Sequence, residues 1–324
     1  MMPLRSRHNG PMQRTAGVWI GAVLLIGVFL IGFVVLSSSN PPVAASPTPS
    51  ASSRVSASAK PSATSSVSAD LLDRRWTVLY VGTDANEARV AQEAELNTDA
   101  LLLVSLSADQ SDLTLISLPR DTVDIPLADG GTWAGKVNAI YAREGIGTLV
   151  EAMEALYGVP IDAHVLLDMD DFAGLVDAVD GIEVSPPQPL ADPIVNLDLA
   201  VGPQQIDGPT TLSYVRTRVD QDYGRMGRQQ EVLVALVTKL ADPEAEIDLG
   251  AILDSFDSLE TDLPLDELPT LLELARRGAD AQVRNVLIRA PLIAFEGDRG
   301  DGRGYVLEPD LDAIRDEVRS IIGE

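Results

Sequence analysis

Three apolar runs mark the start of the folded part of this sequence. Trp76 to Gly82 (WTVLYVG), Asp99 to Leu106 (DALLLVSL) and Asp112 to Leu118 (DLTLISL) are short and rich in aliphatic residues, which predicts strands. In the first two the apolar residues are nearly continuous, the pattern of strands covered on both faces. Helical spacing follows at Thr148 to Tyr157, Asp170 to Val179, Arg225 to Leu240, Leu265 to Arg277 and Pro309 to Ile322. Between these lie further strand signals at Ala163 to Asp168, Thr211 to Arg216 and Val283 to Arg289. Strands interleaved with helices predict an α/β fold, a layered α-β-α domain with a central mixed sheet.

The chain ahead of this domain reads differently. Residues 1–16 carry Arg5, Arg7 and Arg14 and no acidic residue, and Gly17 to Leu36 is an uncharged apolar run of twenty. As a helix that run is about 30 Å long, the thickness of a bilayer's hydrocarbon core. It exceeds the apolar region of a cleaved signal peptide, although Val43-Ala44-Ala45 resembles a cleavage site. The expected layout is a cytoplasmic N-terminus (1–16), a single transmembrane anchor (17–36), a flexible linker (37–72) and an extracytoplasmic domain (73–324), with the arginines setting the orientation. Within that domain a core spans 76–240 and closing helices and a strand span 241–324. Residues 37–68 contain 13 Ser, 6 Ala and 5 Pro, too little apolar surface to offset ordering, which predicts a tether.

Charge narrows the function. The formal net charge of −25 repels nucleic acid and anionic headgroups, so no nucleic-acid partner is expected. Without cysteine there is no thiol chemistry, and with only His8 and His164 a zinc site is disfavoured. Against this acidic background Arg216, Arg218, Arg225 and Arg228 crowd into thirteen positions and are followed by Gln229. Clustered cations need an anion among them, and an inward guanidinium left unpaired costs several kcal/mol, roughly, so the stretch reads as a polyanion site. Arg225, Arg228 and Gln229 share a helical face that continues into Val232, Leu233, Leu236, Val237 and Leu240. If Thr211 to Arg216 is a strand, Tyr214, Arg216 and Arg218 share a face as well. If the first three strands form an antiparallel meander, Asp84, Asp99 and Arg120 fall on one edge of the sheet. Two carboxylates facing a phosphate group suit Mg²⁺. His164 reads as a core residue.

Several segments together resemble the LytR-CpsA-Psr family: Gly82-Thr83-Asp84, Leu118-Pro119-Arg120-Asp121-Thr122, Lys136-Val137-Asn138-Ala139, Tyr214-Val215-Arg216-Thr217-Arg218, and Asp222-Tyr223-Gly224-Arg225-Met226-Gly227-Arg228-Gln229-Gln230. Asp168 to Asp180 followed by Gly181-Ile182-Glu183-Val184 is similar to a further motif of that family. The likeness is firm from Trp76 to Leu240 and weaker beyond.

The resemblance implies a cell-envelope phosphotransferase that moves a glycan polymer from a polyprenyl-pyrophosphate carrier onto peptidoglycan, at the C6 hydroxyl of muramic acid, and that can also cleave pyrophosphate. It implies that Arg120, Arg216, Arg218, Arg225 and Gln229 bind the pyrophosphate with Lys136 and Arg228 in support, and that Asp84 and Asp99 hold Mg²⁺. Asp222 would orient or deprotonate the acceptor hydroxyl, or fix the arginines by ion pairing. An apolar slot for the lipid is expected from Leu149 to Leu156, Phe172 to Val179 and Leu233 to Leu240. Two departures stand out: Asn97 where the family commonly has Arg, and Ala85 and Asn86 where a basic residue is usual. They allow altered acceptor choice, compensation by Arg89 or Arg143, or reduced catalysis. The rival function is a non-catalytic binder of the same polyprenyl-pyrophosphate-linked glycan.

Overall fold

A computed structural model describes residues 68–85, 96–241, 260–264, 267–278 and 281–323. The expected anchor and most of the linker lie outside these residues, as does Arg89. Among the described residues no helix is long and apolar enough to cross a membrane.

A short helix α1 (Ala69–Leu72) leads into the meander β1 (Trp76–Thr83), β2 (Thr98–Leu106) and β3 (Asp112–Ser117). A small ribbon, β4 (Ile125–Pro126) with β5 (Thr132–Trp133), precedes α2 (Ile140–Tyr157), β6 (Ala163–Leu167) and α3 (Met169–Ala178). The short strands β7 (Ile182–Val184), β8 (Leu190–Asp192), β9 (Leu197–Leu199) and β10 (Gln204–Ile206) form two further ribbons, and α4 (Gly208–Arg216) and α5 (Gln221–Ala241) follow. The chain closes with β11 (Glu260–Thr261), α6 (Leu268–Gly278), β12 (Gln282–Leu287), the hairpin β13 (Ile293–Asp298) and β14 (Tyr305–Pro309), and α7 (Leu311–Ile322).

The central sheet has the order β11-β6-β1-β2-β3-β12 and is mixed. β2 is antiparallel to both of its neighbours, whereas β6 runs parallel to β1 and β12 parallel to β3. Because successive side chains alternate across a strand, Val78 and Tyr80 enter one core and Leu79 and Val81 the other. The first core packs beneath α3, α5 and α6 through Leu175, Val176, Val232, Leu236, Leu271 and Leu274. The second packs beneath α2 and α7 through Leu149, Leu156, Ile314 and Val318. Both faces are covered, which is why β1 and β2 read as unbroken apolar runs.

One element departs in kind from the sequence reading, and the described residues of the closing segment hold four strands, β11 to β14, where a single strand is expected. Thr211 to Arg216 is the end of helix α4 and not a strand. Asp207 caps that helix, its side chain accepting from Thr210 N–H, and Pro209 lies in the first turn, where its missing N–H costs nothing. The buried residues Gly208, Thr211 and Tyr214 recur every three positions, a helical face that the alternating look of Thr-Leu-Ser-Tyr-Val obscures. Gly208 is where α4 meets α3: a Cβ there would lie 2.2 Å from the carbonyl oxygen of Ala173, so only glycine permits the approach.

Candidate active site

The site begins with an irregularity in the β1–β2 ladder. Gly82 pairs with Ala100 but Thr83 pairs with Thr98, so Asp99 is the extra residue of a β-bulge. Its carbonyl, released from the ladder, accepts hydrogen bonds from Arg225 Nη1 at 3.0 Å and Gln229 Nε2 at 3.4 Å. Its carboxylate meets the Arg120 guanidinium, which arrives just beyond β3. Asp84, just past β1, accepts from Asn97 N–H at 2.8 Å through Oδ1 and donates its own N–H to the Asn97 carbonyl. The meander therefore brings Asp84, Asp99 and Arg120 to one sheet edge, as the sequence predicts.

Helix α5 supplies the second wall. It starts at Gln221, a turn earlier than its apolar stripe indicates, so its first turn carries Asp222 and Arg225 lies just beyond. Arg225 is 2% exposed, and its Nη2 lies 2.7 Å from Asp222 Oδ1. Burial and the nearby Arg218 and Arg120 outweigh Asp222 and bring the Arg225 guanidinium down to about 10. Arg120 is lowered as well, by burial first and then by repulsion from Arg218. Each of the two arginines has a buried Nε–H without an acceptor among the described residues. Mutual repulsion and unmet donors are what the oxygens of a diphosphate would relieve.

Because α4 is helical, Arg216 and Arg218 do not share a strand face with Tyr214. Tyr214 turns into the core and donates to Glu231 Oε2 at 2.8 Å, whereas Arg216 ends α4 exposed and Arg218 lies in the link to α5, 3.9 Å from Asp222. Lys136 pairs with Asp121 at 2.9 Å, held there by a 3₁₀ turn whose Val137 N–H donates to Thr122 O at 2.7 Å. Arg228 is turned elsewhere. Its Nε donates to Tyr214 O at 2.8 Å, its Nη2 to Thr217 O at 2.5 Å and its Nη1 to Asp220 at 2.6 Å, so it braces the α4–α5 link that carries Arg216 and Arg218. The arginine spacing alone could not separate this brace from Arg216 and Arg225, which line the cleft. Gln230, which the sequence reading left without a role, pins α5 to the sheet, with its Nε2 2.8 Å from Ser117 Oγ and 3.0 Å from Val286 O. His164 is buried on β6, with Nδ1 3.0 Å from Asp262.

Asp99, Asp168, Arg216, Arg225 and Gln229 line an open cleft. Apart from Thr83 and Ser117, the rest of the lining is mostly apolar, with Tyr80, Leu102 and Val165 from the sheet, Phe172 from α3, Leu212 and Val215 from α4 and Leu233 from α5. Of the three segments expected to form a lipid slot, those starting at Phe172 and Leu233 reach this cleft. Leu149 to Leu156 does not, because α2 packs on the opposite face of the sheet.

The family model described as the LytR_cpsA_psr family matches residues 44–317. The chain belongs to the LytR-CpsA-Psr family. It is 31% identical over 250 residues to a probable cell wall biosynthesis protein, LcpB, of Corynebacterium glutamicum, an alignment covering 73% of this chain and 54% of LcpB. The chain thus spans about half the length of that relative. It is 30% identical to the polyisoprenyl-teichoic acid–peptidoglycan teichoic acid transferase TagU of Enterococcus faecalis, over 76% of this chain and 79% of TagU. Among solved structures, B. subtilis TagV superposes with a TM-score of 0.62 at 24% identity, covering 77% of this chain and 98% of TagV. A TagT chain bound to LIIa-WTA superposes at 0.61 and 22% identity, covering 81% and 96%. These two likenesses establish the shared α/β fold.

Proposed function

We propose that this protein is a membrane-anchored phosphotransferase of the cell envelope, moving a glycan polymer from a polyprenyl-pyrophosphate carrier to the muramic acid C6 hydroxyl of peptidoglycan. The observation that carries the reading is the continuity of an apolar cleft with a guanidinium cradle made by Arg216, Arg225 and, through Asp99, Arg120. A polyprenyl chain needs the first and its diphosphate the second. The transferase names of TagU and its relatives point the same way. Residues 17–36 would anchor the chain with its N-terminus in the cytoplasm, and 37–72 would tether the domain outside, within reach of both lipid and wall.

In this reading the acceptor oxygen attacks the phosphorus that bears the glycan, an O–P bond forms, and the bridging P–O bond breaks to release polyprenyl phosphate. Arg120, Arg216, Arg218 and Arg225 stabilise charge gathering on the phosphoryl oxygens, Gln229 donates from its amide, and Asp222 receives the hydroxyl proton. Lys136 holds Asp121 beside Arg120 and adds positive charge to that edge. The donor set fits a hard divalent cation better than zinc, since Asp84 and Asp99 present oxygens only. When bound there, Mg²⁺ would neutralise diphosphate charge. With water in place of the acceptor the same machinery would cleave the pyrophosphate.

The test is the full chain in detergent with a glycosylated polyprenyl pyrophosphate, Mg²⁺ and peptidoglycan, set beside Arg216→Ala and Asp84→Ala. Transfer that both changes abolish supports the enzyme. Tight donor binding with no Mg²⁺-dependent turnover would leave a binder in its place, and turnover unchanged by both substitutions would overturn these roles.

A further inference from the structure

Next to the arginine cradle lies a second group of side chains that the reaction described above does not use. Tyr223 follows Asp222 on α5, and its hydroxyl lies 3.2 Å from Glu296 Oε2 on β13. The hydroxyl of Tyr305 on β14 donates to the other oxygen of the same carboxylate. In the hairpin register Phe295 lies opposite Glu308, Glu296 opposite Leu307 and Asp298 opposite Tyr305, so Glu296 and Tyr305 share one face and Phe295 takes the other. The hairpin is strapped to the site: Val123 N–H donates to Leu307 O at 2.9 Å and Leu307 N–H donates to Asp121 O at 3.1 Å, next to Arg120. Burial first, then the hydrogen bond to Glu296 and its charge, with smaller contributions from Asp121 and Asp222, hold the Tyr305 phenol up at about 12. Even so, Tyr305 is 50% exposed.

A carboxylate fixed by two phenols, beside a half-exposed ring, is a poor receptor for an anion. Glu296 sits between two neutral phenols, whereas Asp121 and Asp222 are paired with Lys136 and with Arg225 of the arginine cradle. The two halves therefore sort their ligands by charge, with the diphosphate held at the arginines and a neutral, hydroxyl-bearing molecule at the acid-aromatic side. Glu296 presents acceptor oxygens whose directions Tyr223 and Tyr305 set, and the Tyr305 ring offers an apolar face to the C–H face of a pyranose. We infer that Tyr223, Glu296 and Tyr305 form the subsite for an acceptor sugar, placing its hydroxyl beside Asp222. This inference rests on the transferase reading for the identity of the sugar, a saccharide of the peptidoglycan strand.

Binding can be measured without turnover. The full chain in detergent is titrated with a soluble, uncross-linked peptidoglycan strand fragment, with no donor present, and compared with Glu296→Gln, Tyr305→Ala and Tyr305→Phe. Phe295→Ala, on the opposite face of the same hairpin, is the control, and thermal unfolding confirms that each variant folds. Saturable binding is expected in the native chain and in Phe295→Ala, with affinity falling about tenfold or more in Glu296→Gln and Tyr305→Ala and less in Tyr305→Phe, which keeps the ring. A second titration uses glycosylated and unglycosylated polyprenyl pyrophosphate. If Glu296→Gln weakens only the glycosylated donor, the subsite serves the donor's glycan and the inference falls. It also falls if the native chain does not bind the strand, or if Phe295→Ala loses as much as Glu296→Gln. Because the strand titration contains no pyrophosphate, a failure here is distinct from a failure of donor turnover in Arg216→Ala.

Discussion

Asp222 and Arg225 face each other across one turn of α5, with Nη2 2.7 Å from Oδ1, while the other terminal nitrogen of Arg225 holds the bulged carbonyl of Asp99. The pair thus joins the helix to the displaced strand residue whose carboxylate meets Arg120. Asp222→Asn keeps the shape and removes the charge. Turnover is expected to fall by about 10² to 10⁴-fold, the range for loss of a general base, with a smaller change in donor affinity. Single-turnover kinetics beside equilibrium donor binding would check this. An equal loss of donor affinity would reduce Asp222 to a brace for Arg225.

Arg228 and Arg216 are expected to fail in opposite ways. Arg228 is buried and spends its donors on Tyr214 O, Thr217 O and Asp220, so Arg228→Ala orphans two carbonyls and a carboxylate. The cost expected for breaking such a buried pair is about 3–5 kcal/mol, and Arg228→Lys should not restore it, because an ammonium cannot span three acceptors set in a fork. Arg216 is exposed at the end of α4, so Arg216→Ala should leave the unfolding midpoint in place while turnover falls about 10² to 10³-fold. Urea unfolding of both variants, with transfer assays, separates the two.

Much of this arrangement is legible before any coordinates. Continuous apolar runs identify the doubly covered strands β1 and β2, and the i, i+3, i+4 stripe from Arg225 to Val237 identifies the inward face of α5. What escapes is whatever depends on pairing partners far along the chain. The bulge at Asp99 is a property of the register with β1, so the carbonyl that anchors Arg225 and Gln229 leaves no local trace. The partnership of Tyr223 with Glu296 spans 73 positions and joins a helix to a hairpin. Helix α4 was hidden for a different reason: its capping signal, Asp207-Gly208-Pro209, precedes a stretch whose polar and apolar residues happen to alternate. Capping chemistry outweighs the alternation there, because Asp207 satisfies an N–H that a strand would have had to pair elsewhere.

Alkaline conditions give a test that needs no substrate. All six tyrosines have phenols raised above the ordinary value of 10, in each case chiefly by burial. The unfolded chain therefore releases phenolic protons first, so the native state binds more protons above pH 10 and stability falls as pH rises through that range. The two fully buried phenols, Tyr80 and Tyr157, are expected to cost about 1.4 kcal/mol each per pH unit there. Arg225 and Arg120 act in the opposite sense, since their lowered values make the unfolded chain the better proton binder at high pH, but they are two groups against six. The urea midpoint should drop between pH 9 and pH 11. Phenolate absorbance should stay low in the native protein at pH 10.5 and rise on unfolding to roughly three quarters of its full value, as expected for phenols with the ordinary value of about 10.

The contact between Arg120 and Asp99 sets up a competition that bears on the cation. While the guanidinium holds the Asp99 carboxylate, that oxygen set is a weak ligand for Mg²⁺, because a metal there must displace a cation or accept one as a neighbour. A diphosphate offers Arg120 a better partner, so donor and Mg²⁺ should each strengthen the binding of the other, by the same factor. Arg120→Ala removes the competitor, and its metal affinity in the absence of donor should exceed that of the native chain, although its turnover falls. Asp84→Asn should weaken the metal in both settings. Calorimetric titration with Mg²⁺, or Mn²⁺ followed by electron paramagnetic resonance, reads these affinities directly. Equal metal affinity in the native chain and Arg120→Ala would mean that Asp99 is a partner for arginine alone and that the cation, if any, is held by Asp84 and the donor.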